Sequence, residues 1–291
     1  MFEPELVLDS KAALAEGPSW NAKSQKLLWV DINGHTVNAF DPETGGNESL
    51  DVGEKVGAVV PRENGGLVLA MESGFYTYSK ETKELTPVED PEAHLKGTRF
   101  NDGKCDPQGR FWAGTMVMEG EPGEANLYRL DHDLKVNLMI SDVTVSNGLA
   151  WNPEKSKMYY IDTKSKKIRS YEFDGETGSI DEERTIITIP EDMGSPDGMT
   201  IDEEGMLWIA FFHGGKVVRF NPDNGDSLSE VLMPASNVTS CAFGGENLDE
   251  LYITTAREGL TEEELDRQPH AGGIFRIKPG VKGAPSYTFQ G

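Results

Sequence analysis

The stretch PDGMTIDEEGMLWIAFFHGGKVVRFNPDNG, residues 196–225, contains three short apolar segments separated by turns. MTID, MLWIAFF and KVVRFNP predict successive strands, and EEG, HGG and DNG are typical turn sequences. The same order of elements occurs in residues 148–180, where GLAWNP, KMYYIDT and KKIRSYEF are followed by DGETGSI. The chain is therefore predicted to repeat one unit of short antiparallel strands.

The period of this repeat is visible in the aromatic-rich second strands. Aligning them on their third residue selects Trp29, Val68, Trp112, Tyr160, Trp208 and Tyr252. These positions recur about every 45 residues, which is the sequence mark of a β-propeller with four strands per blade. We therefore predict an all-β fold, a six-bladed β-propeller with four-stranded antiparallel blades, and a single domain over residues 1–291.

The two ends of the chain are expected to complete the sixth sheet. Residues 5–9 and the segments around residues 273–277 and 286–289 would share that sheet, which closes the ring and removes its open edge. Helical periodicity is almost absent. The one predicted helix spans residues 261–268, where Thr261 and Glu264 can form a capping box.

The charge composition of the chain bears on which macromolecules it can bind. The chain has 27 Lys and Arg against 50 Asp and Glu, a formal net charge of −23. A nucleic-acid-binding protein needs a basic face, and an anionic membrane surface would repel this chain, so neither partner is expected. The longest apolar run, near residues 207–212, is far shorter than the roughly 18 residues of a membrane span.

The cellular compartment of the protein is predicted from its N-terminal residues and its cysteines. MFEPELVLDS is acidic where a secretion signal would be basic, so no signal peptide is expected. Cys105 and Cys241 lie in apolar, strand-like segments and are predicted to be buried free thiols of a reducing compartment. We therefore expect a cytoplasmic protein.

One position of the repeat carries most of the candidate chemistry. In a propeller the first strand of each blade lines the central channel, so the residues that begin these strands face one another. That position holds Glu16, Val56, Asp102, Asn147, Asp197 and Ser240, and glycine follows the first five. Carboxylates gathered at one narrow mouth repel one another unless a cation compensates them.

The oxygen-only character of this ring indicates which cation would fit. Carboxylate and amide oxygens suit a hard divalent ion such as Ca²⁺, Mg²⁺ or Mn²⁺, and a soft-ligand zinc site is less natural. The alternative is that these residues only form turns, because Asn-Gly and Asp-Gly are common hairpin dipeptides. Four such residues in register on one ring favour the metal site.

Several blocks, in this order, resemble the regucalcin and gluconolactonase family. They are GPSW after Glu16, RFNDGKCDPQGRFWAGTM at 99–116, SNGLAWNPEKSKMYYIDT at 146–163, SPDGMTIDEEGMLWIAFFHGGKVVRFNP at 195–222 and TSCAFGGENLDELYITTAREG at 239–259. The resemblance runs from about residue 16 to the C-terminus. It implies a six-bladed propeller with one divalent metal ion in a central channel and the hydrolysis of sugar lactones.

The resemblance also implies roles for individual residues. The metal ligands of the family fall on Glu16, Asn147 and Asp197, and its substrate-contacting residues fall on Arg99 and Asn101. Ca²⁺ is the expected ion, with Mg²⁺, Mn²⁺ and Zn²⁺ as alternatives. The segment 117–126 stands where a loop covers the site in relatives, but no residue match is evident there, so the choice of lactone is open.

A mechanism follows from these assignments. The metal would polarise the lactone carbonyl, and a carboxylate would take a proton from the attacking water. Asp197 is the predicted general base, with Asp102, next to Asn101, as the alternative. The expected enzyme is a gluconolactonase-like hydrolase of cyclic esters whose partner is a small sugar lactone. Two alternatives stay open: a phosphotriester hydrolase using the same metal, and a non-catalytic calcium-binding regulator.

Overall fold

The computed structural model describes residues 2–291, and it contains six four-stranded antiparallel sheets arranged as the blades of a propeller. In each of the first five blades the chain passes from the innermost strand to the outermost in sequence order. Each innermost strand contacts those of the two neighbouring blades, and the sixth contacts the first, so the strands form a closed ring. The predicted all-β, six-bladed fold is confirmed.

A first strand, β1 (Glu5–Leu8), precedes blade 1, and the first three blades follow in order. Blade 1 consists of β2 (Ala15–Asn21), β3 (Lys26–Asp31), β4 (Thr36–Phe40) and β5 (Asn47–Asp51). Blade 2 consists of β6 (Val56–Pro61), β7 (Leu67–Met71), β8 (Gly74–Tyr78) and β9 (Leu85–Glu89). Blade 3 consists of β10 (Thr98–Cys105), β11 (Phe111–Val117), β12 (Ala125–Leu130) and β13 (Val136–Val143).

The second half of the chain forms blades 4 to 6. Blade 4 consists of β14 (Ser146–Trp151), β15 (Lys157–Asp162), β16 (Lys167–Phe173) and β17 (Ile180–Thr188). Blade 5 consists of β18 (Ser195–Ile201), β19 (Leu207–Phe212), β20 (Lys216–Phe220) and β21 (Ser227–Leu232). Blade 6 contains β22 (Val238–Gly244), β23 (Glu250–Thr255) and β24 (Ile274–Ile277), and short 3₁₀ turns occupy Thr163–Ser165 and Glu191–Met193.

The one α-helix of the described residues, α1 (Glu262–Arg267), lies in the connection between β23 and β24. It begins with the predicted capping box, since Thr261 Oγ1 accepts a hydrogen bond from the Glu264 amide and a Glu264 carboxylate oxygen accepts one from the Thr261 amide. No helix in residues 2–291 is long and apolar enough to cross a membrane.

The ring closes by pairing the two ends of the chain. The order in the sixth sheet is β22, β23, β24 and then β1, so the N-terminal strand forms the outer edge of the last blade. This part of the prediction is confirmed. The expectation of a single domain over residues 1–291 stays a prediction.

The predicted place of residues 286–289 is wrong. These residues leave the sixth blade and reach blade 2, where the Phe289 amide donates to the Pro61 carbonyl and the Glu63 amide donates to the Phe289 carbonyl, both at 2.9 Å. The Phe289 side chain is fully buried in the apolar cluster between blades 2 and 3. Because β1 already occupies the edge of the sixth sheet, this segment covers a blade interface instead.

Apolar clusters between neighbouring blades hold the ring together. There is one such cluster at each of the six interfaces, and each draws its side chains from both blades. The aligned residues of the second strands, which defined the period, are 0–2% exposed in all six units. The sequence repeat therefore reflects the packing of these side chains at the blade interfaces. Cys105 and Cys241 are buried free thiols, as predicted.

Phe289→Ala tests the role of the C-terminal segment. Removing a fully buried phenyl ring should lower the free energy of unfolding by about 3–5 kcal/mol, measured by urea denaturation. The control is Leu232→Ala, whose side chain is 56% exposed at the outer edge of blade 5 and which should change the value by less than about 0.5 kcal/mol. Equal, small effects of both substitutions would contradict the packing role of Phe289.

Candidate metal centre on the propeller axis

The pairing register of every innermost strand shifts at the position that the sequence singles out. The shifts lie between Glu16 and Ser19, Val56 and Ala58, Phe100 and Asp102, Asn147 and Leu149, Pro196 and Met199, and Val238 and Ser240. A shift of this kind re-aims a side chain and is frequent beside functional sites. The shift follows the ring residue in blades 1, 2 and 4, spans it in blade 5 and precedes it in blades 3 and 6, so each ring residue lies at or next to a local backbone irregularity.

Glycine follows the ring residue where neighbouring strands approach closely. A Cβ added to Gly148 would lie 2.6 Å from the Met199 Cβ and 2.9 Å from the Asp197 carbonyl oxygen. A Cβ on Gly198 would lie 2.0 Å from the Ser240 hydroxyl. Side chains larger than hydrogen would therefore push the innermost strands of blades 4, 5 and 6 apart.

The polar ring residues are buried and locally anchored. Glu16, Asp102, Asn147 and Asp197 are only 3–8% exposed. A Glu16 carboxylate oxygen accepts a hydrogen bond from the Gly17 amide, and an Asp102 carboxylate oxygen accepts one from the Gly103 amide, each at 2.7 Å. The carboxylates of Glu16 in blade 1 and Asp102 in blade 3 are thus each held by the amide of the glycine that follows.

These carboxylates act on one another electrostatically. Burial raises the pKa of Glu16 well above its usual range, and the charges of Asp197 and Asp102 raise it further. Burial and the charge of Asp102 likewise raise the pKa of Asp197, which hydrogen bonds with Asn147 and Glu16 partly lower. The charge of Asp102 therefore opposes the ionisation of both Glu16 and Asp197.

The Asn147 amide has a fixed orientation and an oxygen without a partner. Its Nδ2 donates to the Thr163 hydroxyl at 3.0 Å, and that hydroxyl donates to the Pro196 carbonyl at 2.8 Å. The Asn147 Oδ1 is buried and accepts no hydrogen bond from any described residue. A buried acceptor without a protein partner is available to a ligand such as a cation or a water.

The donor set fits a hard cation. The candidate set is Glu16 and Asp197 with the Asn147 amide; among residues 2–291, no three His, Cys, Asp or Glu side chains form a metal-binding cluster by themselves. All three supply oxygen, which Ca²⁺ and Mg²⁺ prefer. The residues present therefore fit the implied divalent ion, because it would neutralise the carboxylates and occupy the free amide oxygen.

Arg99 and Asn101 lie beside this ring. The Arg99 Nη1 donates to the Phe100 carbonyl and to Asn101 Oδ1, both at 2.9 Å, and the Asn101 Nδ2 donates to the Ser146 carbonyl at 2.8 Å. Burial lowers the pKa of Arg99, and surrounding carboxylates, Glu258 and Glu16 among them, partly restore it. The chain of contacts links blade 3 to blade 4 and joins the predicted substrate residues to the ring.

Lys104 lies near Asp102 and was not singled out from the sequence. Its Nζ donates to the Met199 carbonyl at 2.6 Å. Burial lowers the pKa of Lys104, which the Asp102 charge opposes; in turn Lys104 partly offsets the burial that raises the pKa of Asp102. The signal was present, since residues two apart on a strand share a face and Lys104 follows Asp102 by two.

The segment predicted to cover the site is a loop of residues 118–124 between β11 and β12. The amides of Met118 and Glu119 donate to the Gly97 carbonyl at 2.7 and 3.1 Å, just before the strand that carries Arg99. The Lys55 Nζ lies 3.4 Å from the Met118 sulfur. The loop, which belongs to blade 3, therefore contacts the start of blade 2 next to the candidate site.

The chain is similar to known proteins along nearly its whole length. Regucalcin from Danio rerio is 42% identical over 291 residues, covering 99% of this chain and 98% of that protein. The Bacillus subtilis protein YvrE, whose name proposes a sugar lactone lactonase, is 41% identical over 286 residues, covering 98% of both chains.

A solved structure and a family model agree with these relatives. The structure of a regucalcin from Agrobacterium tumefaciens, described as a calcium-binding protein, has a TM-score of 0.94 and 26% identity and covers 99% of this chain and 98% of its own. Residues 14–257 match the model of the SMP-30/Gluconolactonase/LRE-like region. The chain therefore belongs to the SMP-30/gluconolactonase/LRE-like family.

Proposed function

We propose that the protein is a metal-dependent sugar lactonase that hydrolyses an aldonolactone to the aldonic acid. The observation that carries the proposal is the buried oxygen set of the ring, in which the Asn147 Oδ1 has no partner among the described residues and the charges of Asp197 and Asp102 raise the pKa of Glu16. Membership of a gluconolactonase family and the name of the YvrE relative support the lactone as substrate. A cytoplasmic location is part of the proposal.

Glu16, Asn147 and Asp197 would hold one divalent ion. Ca²⁺ is the favoured choice, because the ligands are all oxygen and because the Agrobacterium regucalcin is described as calcium-binding. Mg²⁺, Mn²⁺ and Zn²⁺ are the alternatives. When bound, such an ion polarises the lactone carbonyl and stabilises the negative charge that develops on its oxygen.

Asp197 is the proposed general base. Its ionised carboxylate would accept a proton from the attacking water, and general-base assistance of this kind typically contributes about 10²–10⁴-fold to the rate. Asp102 is the alternative base. Its environment differs, because the Lys104 ammonium favours its ionised form.

Arg99 and Asn101 have different proposed parts in substrate binding. The contacts of Arg99 Nη1 with Phe100 and Asn101 fix the plane of the guanidinium, whose remaining N–H groups can then hold lactone hydroxyls. Asn101 uses its oxygen on Arg99 and its nitrogen on Ser146. Asn101 therefore orients Arg99, and its oxygen keeps a second lone pair for the substrate.

A non-catalytic calcium-binding regulator is the second candidate, favoured by the relatives named regucalcin. It requires the same ion at Glu16, Asn147 and Asp197 but no turnover. Phosphotriester hydrolysis on the same ion is the remaining alternative from the sequence. One panel of substrates distinguishes the lactonase from the phosphotriester hydrolase, and both of these enzymes from the regulator.

Turnover of a lactone panel tests the proposal. EDTA-treated protein is assayed with a pH indicator on gluconolactone, xylonolactone and galactonolactone, and on paraoxon, after each ion is restored. We expect lactone hydrolysis and a loss of at least about 100-fold in kcat for Asp197→Asn. Asp202→Asn is the control, because Asp202 is also buried but binds turn amides, Trp208 and Arg219 beyond β18. Metal binding without lactone turnover would favour the regulator.

Stability without metal tests the electrostatics of the ring. Because the raised pKa of Glu16 means that the folded state binds the proton more tightly than the unfolded chain, the unfolding free energy should fall as pH rises through that pKa. Glu16→Gln removes the part of this dependence that Glu16 contributes, while Asp197 and Asp102, whose pKa values are also raised, retain theirs. In EDTA at pH 8 the variant should unfold at higher urea concentration than wild type, and the difference should shrink below the ordinary Glu pKa of about 4.3. A destabilised variant at pH 8 would contradict this.

Arg99→Lys tests substrate recognition. Lysine keeps the charge but not the planar fork, so the variant should lose roughly 10- to 100-fold in kcat/KM, the equivalent of one charged hydrogen bond. Its affinity for Ca²⁺, measured by calorimetry, should stay within about twofold of wild type. Unchanged kcat/KM would show that Arg99 does not contact the lactone.

A further inference from the structure

Two aspartates outside the ring make the same contacts in opposite blades. Asp31 ends β3 in blade 1, and its carboxylate accepts hydrogen bonds from the amides of Ala13 and Leu14 at 3.0 and 2.9 Å. Asp162 ends β15 in blade 4, and its carboxylate accepts from the amides of Thr144 and Val145 at 3.4 and 3.1 Å. Each aspartate therefore holds the chain just before an innermost strand.

The strand pairing places these contacts directly beside two candidate ligands. Asp31 pairs with Ala15, the residue before Glu16, and Asp162 pairs with Ser146, the residue before Asn147. A backbone hydrogen bond of 3.0 Å reinforces each arrangement, from the amide after the aspartate to the carbonyl of Leu14 in one blade and of Val145 in the other. We call each arrangement, an aspartate with the two amides it holds, a clamp; the two clamps share these contacts, and Asp31 also accepts from the Gly34 amide at 3.0 Å.

The repeat shows that these aspartates are not a general feature of the blades. Both lie two residues after the aligned aromatic residue of the second strand. The same position in the other four units is occupied by Ala70, Gly114, Ala210 and Thr254, none of which carries a carboxylate. Among the six units, the aspartate occurs in the two that supply Glu16 and Asn147.

We propose that Asp31 and Asp162 are positioning residues that fix Glu16 and Asn147 on opposite sides of the ring before the ion binds. The proposal rests on the metal site described above. In blade 4 the clamp extends to the ligand itself, because Thr163 follows Asp162 and its hydroxyl accepts from the Asn147 Nδ2. Fixing donors in advance removes the ordering cost from binding, so the clamps raise the affinity for the ion.

Calcium binding by single variants tests the inference. In Asp31→Asn and Asp162→Asn, an NH₂ group replaces one acceptor and faces a backbone N–H, which opens the clamp while keeping the side-chain shape. Each variant should bind Ca²⁺ about 10- to 100-fold more weakly by calorimetry, the usual effect of losing a group that orients a ligand. The double variant should bind more weakly than either single one.

The control separates positioning from stability. Asp202 also binds two backbone amides, of Glu204 and Met206, but at a turn beyond β18. Asp202→Asn should lower the melting temperature in EDTA while its Kd for Ca²⁺ stays within about twofold of wild type. If Asp31→Asn and Asp162→Asn behave like this control, the positioning role is refuted.

Two further readouts complete the test. The electron paramagnetic resonance spectrum of bound Mn²⁺ should broaden in both clamp variants, as expected for less ordered ligands. If Asp31→Asn does not fold, Asp31→Ser, which keeps one acceptor, replaces it. Lactone turnover is measured separately: wild type that binds Ca²⁺ without hydrolysing lactones contradicts the proposed enzyme and leaves the clamps intact. Wild-type protein that binds neither Ca²⁺ nor Mn²⁺ would contradict both the proposed enzyme and the positioning role of the two aspartates.

Discussion

The burial of three carboxylates, those of Glu16, Asp102 and Asp197, on the innermost strands is the constraint on which the rest of the structure depends. Each carboxylate is buried, and each is more easily protonated than in water because of that burial. Such groups stay together only if the surrounding scaffold is held by stronger interactions elsewhere. The apolar clusters at all six blade interfaces, and the closure of the last sheet by β1, supply that restraint.

The way the chain brings the oxygens to the axis is also local. Each innermost strand shifts register at its ring residue, and the glycines that follow allow the strands to approach more closely than a Cβ permits. Asn147 differs from the carboxylates, because an amide adds an oxygen ligand without adding negative charge. Its partnerless Oδ1 is the feature that turn formation alone does not explain.

Much of this arrangement was predictable from the sequence. The period of Trp29, Trp112 and Trp208 predicted the blades because these side chains fill the blade interfaces, and one position of the repeat gave the ring. The place of Phe289 was not predictable, because a short apolar segment can pair with any open edge or cover any apolar cluster. Sequence spacing cannot distinguish these outcomes when both bury the same side chain.

The clamp residues show a second limit. Asp31 and Asp162 stand in the strands LLWVD and MYYID, but nothing in those strands says that their carboxylates bind the amides before β2 and β14. That contact depends on the register between two strands, which the alternation of side chains alone does not fix to one residue. Lys104, in contrast, could have been found from its spacing to Asp102.

The most direct test of the metal centre is anomalous diffraction from crystals of the protein soaked in Mn²⁺. One anomalous peak is predicted on the propeller axis, roughly 2.0–2.6 Å from a carboxylate oxygen of Glu16, the Asn147 Oδ1 and a carboxylate oxygen of Asp197. An axis without a peak, or a peak bound elsewhere while lactone turnover depends on Mn²⁺, would contradict the account.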